Sequence, residues 1–482
     1  MGMPTFGRRT IYTDKSEITD NNVCDVVLKA LSVHNKNKSE IKHLYDVYRG
    51  KQQILNREKL VRPEINNKCV LNHAYQIVSF NVSYLLSEPI MYVKRGTREV
   101  TDSIAVLNDY MHLESKSAKD KALADDFNIC GVAYRMVLPT KNQQYLQDDE
   151  SPFNVYTLDP ERTFLIRYSG LDERTLAGCY TLTKSDNDGE HNIVCVYTDS
   201  KYYEIDIDKP NIGAAKILNS KPHSIGRVPI VEYINNHSRL GSFEVVETVL
   251  DAINTLQSNR LDGTEQTVQS LMVFKNCEYD QTNDNDLTKM RENGAVMIKS
   301  GTGVDAGIEL LSPELNQEDQ QVLLDSLYKS VLSITGMPAM ASENTSDSSN
   351  NGAAFMRGGW YSADARAKDS EDLWKSSETE FLRIVLKICR DMGVFNISVS
   401  DIDMKFTRRN YEDILSKSQT LTNMLTAGIA PQYAIAQCGL FSDPTEVYEA
   451  SIPYIKKWEY EDASAQDSAD NEDNIDGRDA DE

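Results

Sequence analysis

The first 140 residues combine helix-like and strand-like patterns of apolar positions. Steps of three and four residues predict a helix over about residues 20–50, and Gly50 in YRG is suited to end it. A second helix of roughly four turns is predicted from Asn72, closed by Pro89 and followed by a short strand. The segment KSAKDKALADDFNICGVAYRMVLP predicts a further helix that runs directly into a strand.

Between Phe153 and Glu232 the apolar period becomes that of β-strands. Five segments alternate apolar and polar residues, and turn residues such as SDNDGEHN and DKPNIG separate them. The segments are NVYTLD, TFLIRY, LAGCYTLT, NIVCVYTD and KYYEIDI. Helices followed by a run of strands predict an α+β domain over about the first 240 residues.

After Gly241 the helical period returns over a longer stretch. We expect Ser242 to be the N-cap of a long amphipathic helix. Its apolar stripe is Phe243, Val246, Leu250, Ile253 and Leu261. A second amphipathic helix is predicted from about Gln317 to Thr335, through Leu324, Leu327, Val331 and Ile334.

The remaining elements are predicted around these helices. Residues 273–312 contain short strand-like pieces about a polar loop. A very long helix is expected from roughly Ala353 to Asp391, with Trp374, Phe381, Val385 and Ile388 on its apolar face. The segment ISVSDIDMKF reads as a lone strand that needs a distant partner, and three short helices are expected over 411–458.

Charge restricts the classes of function that remain. The 482 residues carry a formal net charge of −23, which argues against simple adhesion to nucleic acid, since phosphate binding needs clustered Lys and Arg. Eleven carboxylates against one arginine fall in residues 459–482. This stretch has too little apolar surface to fold alone, so we expect a disordered tail.

The cysteines and the N-terminal residues indicate a compartment. Eight scattered cysteines lack the spacing of zinc ligands, which suggests free thiols in a reducing cytosol. The N-terminal residues lack the apolar region of a secretion signal, and no apolar run is long enough to span a membrane. We therefore expect no membrane association.

Motifs for catalysis or cofactor binding are weak. GTGVDA at 301–306 imitates a dinucleotide-binding loop, but strand-like GIELLSPE follows where a helix is required. His73 is a candidate base, although a histidine at a helix start more often makes local hydrogen bonds. Asp401 and Asp403 lie two apart on a predicted strand and would share a face, which is weak support for a metal site. We expect no cofactor and no enzyme, with a carboxylate metalloenzyme as a distant alternative.

TLTNMLTAGIAPQYAIAQCGL at 420–440 is a candidate helix-turn-helix. A recognition helix should present Arg, Lys, Asn or Gln to base edges and lie among phosphate-binding cations. AIAQCGLFSDP offers Gln437 and no cation, so a small helical packing module is the better interpretation. A DNA-binding regulator remains the first alternative.

Several segments together resemble one protein family. YRGKQQILNR, NNKCVLNHAYQIVSFNVSYLLSEPI, DKALADDFNICGVAYRMVLP and VYTLDPERTF resemble the N-terminal half of tailed-bacteriophage portal proteins, of the type common in phages and prophages of Gram-positive bacteria. GSFEVVETVLDAIN, ITGMPAM, the long helix, DIDMKFTRRN and TAGIAPQYAIAQCGLFSDP follow in that family's order. The resemblance covers about residues 25–458.

The resemblance implies a dodecameric ring built from subunits with the portal fold. Double-stranded DNA would pass through the ring at one capsid vertex of the virion, after assembly in the host cytoplasm. The terminase large subunit, a head-completion or adaptor protein, a scaffold protein and the major capsid protein would be its partners. The implied parts are the wing at 1–240, first stem helix at 241–272, clip at 273–312, second stem helix at 313–336, tunnel loop at 337–352, long wing helix and returning strand at 353–410, helical crown at 411–458 and acidic tail at 459–482.

The resemblance also gives a role to a polar ribbon between two predicted helices. Pro338 cannot continue the helix before it, and small polar residues follow. As a tunnel loop the ribbon would narrow the channel and touch DNA only weakly, although a surface linker between helices is the simpler interpretation from the residues alone. The tunnel-loop residues are Ser342, Glu343, Asn344, Thr345, Ser346, Asp347, Ser348, Ser349, Asn350 and Asn351.

Cationic residues near the implied channel have two interpretations each. Arg260 and Lys275 are candidates to face DNA in the stem lumen, or they simply face solvent. Lys289, Arg291 and Lys299 are candidates for contact with terminase or the adaptor from the clip.

Overall fold

The computed structural model of the chain has two compact units. It describes residues 7–60, 63–96, 100–140, 150–186, 189–207, 215–268, 271–275, 307–311, 317–338, 359–408, 414–438, 440–441, 444 and 447–454. The smaller unit consists of Asp46–Tyr75 and Val245–Thr335, together with Met1–Gly2. The larger unit consists of Met3–Tyr45, Gln76–Glu244 and Gly336–Glu482.

In the described residues four α-helices precede the main run of strands, and glycine or proline lies between the first and second and between the second and third. Gly50, at φ +87°, follows the first helix, because only glycine adopts this left-handed conformation without strain. The three helices predicted in this region, near 20–50, after Asn72 and before VAYRMVLP, are confirmed by the observed α1, α2 and α4. The bounds are α1 Val23–Tyr48, α2 His73–Leu85, α3 Asp102–Leu113 and α4 Lys116–Cys130.

Antiparallel pairing dominates the strands, so the predicted α+β class is confirmed. A six-stranded sheet has the order β1-β5-β6-β7-β8-β9, in which β1 and β5 are parallel, and a three-stranded sheet has the order β10-β3-β4. The bounds are β1 Ile11–Thr13, β2 Met91–Lys94, β3 Val132–Pro139, β4 Phe153–Leu158, β5 Thr163–Tyr168, β6 Thr175–Asp186, β7 Gly189–Tyr197, β8 Lys201–Asp206, β9 Lys216–Pro222 and β10 Ile230–Ile234.

One hydrophobic core joins α1 to the six-stranded sheet. Val23, Val26 and Val27 from α1 are buried against sheet residues such as Phe164 and Val194. The buried positions lie three and four residues apart on the helix and at every second residue along the strands. These spacings match the helical period of 3.6 residues and the strand period of 2. The sheet face and the helix stripe thus account for the apolar pattern of this region.

The long helix and the strand after it match expectation except at the helix start, which was expected near Ala353 and lies at Trp360 because Gly359 before it has a left-handed backbone at φ +79°. Residues Trp360–Asp391 form this helix, here called α7, and bury Trp374, Phe381, Val385 and Ile388. Strand β13, Ile402–Lys405, pairs antiparallel with β2, which is the distant partner that the isolated strand needed. Asp401 lies in a short 3-10 turn, so the prediction that it shares a strand face with Asp403 is wrong.

The smaller unit has a helix–hairpin–helix core. It contains α5 Glu247–Val268, β11 Leu271–Lys275, β12 Gly307–Leu311 and α6 Gln317–Thr335, and the two strands pair antiparallel. Helix α6 has the bounds that its apolar spacing predicted. The strand β12 contradicts a dinucleotide-binding helix after GTGVDA, although 301–306 themselves lie outside the described residues.

The expected start of α5 is wrong by several residues. Glu244–Val246 form a 3-10 turn and the α-helix begins at Glu247, so Ser242 does not cap it. The Ser242 hydroxyl instead donates to the Asn128 side-chain oxygen at 2.7 Å. Leu261, expected in the apolar stripe, is 41% exposed, whereas the other four stripe residues are buried.

The C-terminal helices are short. They include α8 Ile414–Thr426 and α9 Pro431–Cys438, and the described residues 447–454 are also helical. Gly428, at φ +81°, lies in the turn between α8 and α9. The acidic stretch 459–482 lies outside the described residues. Among the helices that the structure describes, none is both long and apolar enough to cross a bilayer.

Candidate functional site

Helices α5 and α6 pair side by side in opposite directions. Arg260 donates to the Gln321 side-chain oxygen at 2.7 Å, and Gln317 donates to the Thr264 hydroxyl at 3.2 Å. A step of four residues forward on α5 therefore matches a step of four residues backward on α6. This register defines an antiparallel helix pair whose connection passes through the hairpin of β11 and β12.

The surface of this helix pair is acidic. The two helical segments contain seven carboxylates against Arg260 and Lys329, and all of the seven except the buried Asp262 are at least partly exposed. Glu318, Asp319 and Asp325 on α6 are exposed. Phosphate groups of a nucleic acid would be repelled by such a surface rather than bound by it.

The structure tests few of the sequence-predicted contact residues. Arg260 is half-buried and its guanidinium is engaged with Gln321, and Lys275 lies in β11 opposite Gly307. Neither position shows which groups face a channel, so the lumen assignment of both stays a prediction. The candidate contacts Lys289, Arg291 and Lys299 lie outside the described residues, as do Ser342, Glu343, Asn344, Thr345, Ser346, Asp347, Ser348, Ser349, Asn350 and Asn351.

Residues on both sides of the segment 339–358 are described, and two of them lie near each other. Gly336, at φ +69°, follows α6, and Pro338 excludes a further helical turn. A Cβ atom at Gly336 would lie 2.3 Å from the Cδ atom of Arg366, on the first turns of α7.

A buried ionic cluster lies in the larger unit and joins α4, β3 and α7. It consists of Lys116, Asp120, Arg135 and Glu378, none of which is more than 3% exposed. The Lys116 ammonium lies 2.7 Å from Asp120 and 2.8 Å from Glu378, and Arg135 pairs with the same two carboxylates. Two cations and two anions balance, which makes their burial tolerable.

Aromatic residues complete the surroundings of this ionic cluster. The hydroxyls of Tyr92 and Tyr233 each donate to Glu378 at 2.6 Å. The Lys116 ammonium and the Arg135 guanidinium lie over the Phe381 ring, at 5.6 and 5.2 Å from its centroid. Burial raises the pKa of the Glu378 carboxyl, but Lys116 and Arg135 outweigh it and hold that pKa well below its usual range.

The turn that leads into α5 is held to the end of α4. The Ser242 N–H donates to the Asn128 carbonyl at 2.7 Å, and the Asn235 N–H donates to the Gly131 carbonyl at 3.0 Å. The buried Arg8 side chain lies 2.5 Å from Glu244. These contacts hold the turn at residues 235–244 against the end of α4 within the larger unit.

Three features of the described residues bear on the alternative functions. No group of three or more potential metal ligands occurs among them. His73 stacks near Tyr328, with ring centroids 4.8 Å apart, in keeping with a packing role. Helix α9, the would-be recognition helix, has no Lys or Arg, and its Gln437 is exposed.

Sequence reasoning missed the ionic cluster, although two signals for it were present. Arg135 interrupts the apolar strand VAYRMVLP, and Glu378 lies between Trp374 and Phe381 on the apolar face of α7. A charge inside an apolar stripe is costly unless it is paired. Such a position therefore predicts a partner, but it does not identify one.

Comparisons with known proteins agree on one family. The family model described as phage portal protein, SPP1 Gp6-like, matches residues 29–468. The portal protein of Bacillus phage SPP1 is 23% identical over 241 residues, which cover 47% of this chain and 46% of that relative. The chain thus matches about half of the relative's length.

Two solved structures are also similar, at low sequence identity. A chain in "Neck of empty GTA particle computed with C6 symmetry" has a TM-score of 0.45 at 11% identity, covering 76% of this chain and 90% of that one. A chain in "Neck of native GTA particle computed with C12 symmetry" has a TM-score of 0.42 at 11% identity, covering 76% and 89%. These TM-scores are low, and the family assignment rests on the sequence match. Because the family model spans nearly the whole chain, the protein belongs to the SPP1 Gp6-like phage portal proteins.

Proposed function

We propose that copies of this chain form a dodecameric ring at one vertex of a phage capsid, through which double-stranded DNA is packaged and ejected. The observation that carries the proposal is the family match over residues 29–468. The role is structural rather than enzymatic, and the energy for packaging would come from a terminase ATPase on another chain.

The parts of the ring follow the order of the elements. Helices α5 and α6 would be the stem, within 241–272 and 313–336, and residues 273–312 would be the clip. Residues 1–240 and 353–410 would form the wing, and 411–458 the crown. The antiparallel register of α5 and α6 supports the stem, since a chain that runs out through one helix and back through the other suits the wall of a channel.

The acidic helix pair suits a channel through which DNA slides. A strong cation–phosphate contact, repeated in every subunit, would hold DNA in place, because such contacts dominate the affinity of proteins for DNA. Exposed carboxylates at Glu318, Asp319 and Asp325 would keep the wall weakly repulsive. Arg260 would then serve mainly to join the two helices through its hydrogen bond to Gln321. Its second proposed role is to face DNA in the lumen of the stem.

Residues 337–352 would be the tunnel loop that narrows the channel. Their Ser, Thr and Asn side chains offer neutral hydrogen bonds to phosphate, while Glu343 and Asp347 repel it.

The partners follow from the role. The terminase large subunit and a head-completion or adaptor protein would dock on the clip, where Lys289, Arg291 and Lys299 are candidate contacts. Scaffold protein and major capsid protein would surround the wing. The ring would assemble in the host cytoplasm and remain in the virion at the portal vertex.

Deletion of Ser342–Asn351 tests the channel role. We expect the variant to form rings that enter capsids but to give fewer DNA-filled heads, because the loop would no longer contact DNA. Deletion of Glu459–Glu482 is the matched control, since it removes a similar kind of polar segment outside the channel. Normal filling of heads by the loop-deleted protein would overturn the proposed role of the tunnel loop.

A further inference from the structure

Helix α5 has a buried polar stripe where an amphipathic helix would be expected to have apolar residues. Asn254, Ser258 and Asp262 lie four residues apart, and their exposed fractions are 0%, 0% and 3%. Residues four apart share one face of a helix. Buried polar side chains at three successive turns require three sets of hydrogen-bond partners.

The partners are backbone N–H groups of one extended segment, residues 63–72, which we call the strap. The donors are every second residue of the strap, and they follow the acceptors in reverse order along the chain. The pairs are Leu71 with Asn254 at 2.8 Å, Cys69 with Ser258 at 2.9 Å and Asn67 with Asp262 at 2.7 Å. The strap has no regular secondary structure at residues 65–72, so these side chains act as its pairing partner.

The repeat distances explain why the pattern works over three steps. Two residues of extended chain advance about 6.6 Å, and four residues of α-helix advance about 6.0 Å. The mismatch of about 0.6 Å per step is small enough for three successive hydrogen bonds. One turn earlier on the same face stands Leu250, which is buried and cannot accept a hydrogen bond.

Both ends of the stripe have additional contacts within the smaller unit. Asn254 donates to the Gln52 side chain, and Asp262 accepts from the Lys59 ammonium and from the Asn67 side chain. Burial raises the pKa of the Asp262 carboxyl, but hydrogen bonds from Lys59 and Asn67 outweigh it and lower that pKa. Asp262 therefore remains an ionised acceptor at neutral pH.

We propose that Asn254, Ser258 and Asp262 are positioning residues that clamp the strap along α5. Under the proposed function α5 is the first stem helix, and in that respect the inference rests on that function. A polar stripe on a stem helix would otherwise be assigned to the channel lumen. Its burial and its three backbone partners assign it to the strap instead, so that α5 keeps a fixed neighbour over three turns.

Hydrogen exchange of the purified full-length protein, read by mass spectrometry on peptides covering 66–72, tests the clamp. Ser258→Ala removes one acceptor, and we expect the Cys69 amide to exchange about tenfold faster or more, because a hydrogen bond of typical strength is lost. Thr255→Ala is the matched control, since it removes a hydroxyl from the exposed side of the same helix. Unchanged exchange in Ser258→Ala would overturn the clamp.

A conservative pair of variants separates positioning from general destabilisation. Asn254→Asp keeps an acceptor oxygen, so Leu71 should remain protected, whereas Asn254→Leu removes it and should expose Leu71. Equal exchange at Leu71 in the two variants would contradict the role. Because the readout is local, it is independent of ring formation. A failure of the clamp leaves rings intact, and a failure of the proposed function leaves the exchange pattern intact.

Discussion

Charged residues of this protein occur in two contrasting environments, one buried with opposite charges paired and one exposed to solvent. At the ionic cluster, Lys116 and Arg135 neutralise Asp120 and Glu378 in a fully buried place. On α6, Glu318 and Asp319 remain exposed. The first arrangement fixes α7 against α4 and β3, because an unpaired buried charge would be far more costly than the pair.

Glu378→Gln should therefore destabilise the protein strongly. The substitution leaves two buried cations with one carboxylate, and we expect a loss of about 3–5 kcal/mol in the free energy of unfolding. Urea unfolding followed by tryptophan fluorescence measures it. Glu380→Gln, two residues along the same helix and on its exposed side, is the control and should change stability by less than about 0.5 kcal/mol. Similar losses in both variants would contradict the account of the cluster.

Asp126 should make stability depend on pH in the neutral range. Burial raises the pKa of its carboxyl to about 7, while the Tyr45 hydroxyl that donates to it acts in the opposite direction. Between pH of about 4 and about 7, the Asp126 carboxyl therefore keeps its proton in the folded protein, whereas the same carboxyl in the unfolded chain has released it. The associated stability is complete below pH of about 4 and is lost as pH rises through about 7.

Asp126→Asn should remove this dependence. Between pH 5 and pH 8 we expect the wild type to lose on the order of 3 kcal/mol relative to the variant, because the folded and unfolded states differ by one bound proton over the roughly two pH units from 5 to about 7. Thermal unfolding at several pH values measures the difference, with the exposed Asp25→Asn as control. A variant that loses stability with pH in parallel with the wild type would refute the assignment.

Single residues were the hardest to predict from the sequence. Arg135 and Glu378 are 243 residues apart, and no local pattern indicates such a pair. Gly50 and Pro89, in contrast, act on the backbone of their own neighbours. Their effects on the ends of α1 and α2 could therefore be predicted from position alone.

Among the elements, the junction of α4 and β3 depends on one glycine. Gly131 has φ +77°, and a Cβ atom there would lie 2.4 Å from the Arg239 carbonyl oxygen. Both the conformation and the close backbone approach exclude a side chain. The element order helix-then-strand in this region thus requires glycine for two independent reasons.

Gly131→Ala should accordingly lower the free energy of unfolding by more than the strain of a left-handed alanine alone would. The conformation costs about 1–2 kcal/mol, and the backbone clash adds to it. Gly393→Ala is the matched control, since Gly393 has φ +72° with open space around its Cα. If the two variants lost equal amounts of unfolding free energy in urea, the Arg239 carbonyl would have to move away from the added Cβ atom without destabilising the protein, and the clash would not matter.

The acidic C-terminal stretch should behave as an independent element. Removing Glu459–Glu482 should leave the melting temperature within about 2 °C of the wild type, because the stretch has few apolar residues to bury. Differential scanning calorimetry measures this. A large drop in melting temperature would indicate that the stretch packs on the fold.

Elements were predictable where one period covers many residues. The bounds of α6 match the prediction, and the five central strands were found from alternation. Helix α3 was not singled out, and α5 starts later than its expected cap because the Ser242 hydroxyl bonds to Asn128. A serine hydroxyl that could cap a helix can also hydrogen-bond to other backbone or side-chain groups, and the tertiary structure determines which of these bonds forms.

For the whole molecule, the order of motifs carried more information than any single motif. Each stretch, such as ITGMPAM, is loose alone, but their sequence indicated portal proteins over about 25–458, and the family model matches 29–468. The site is less predictable than the family. Which residues line a channel depends on how copies assemble, and one chain does not determine that.

The central claim is that many copies close around an aperture that DNA passes through. Electron microscopy of the purified full-length protein at high concentration tests it most directly. We predict rings with a central hole, predominantly twelvefold, in which Thr345 faces the hole. A stable monomer or compact dimer under these conditions, or a ring in which Thr345 is buried away from the hole, would contradict the account.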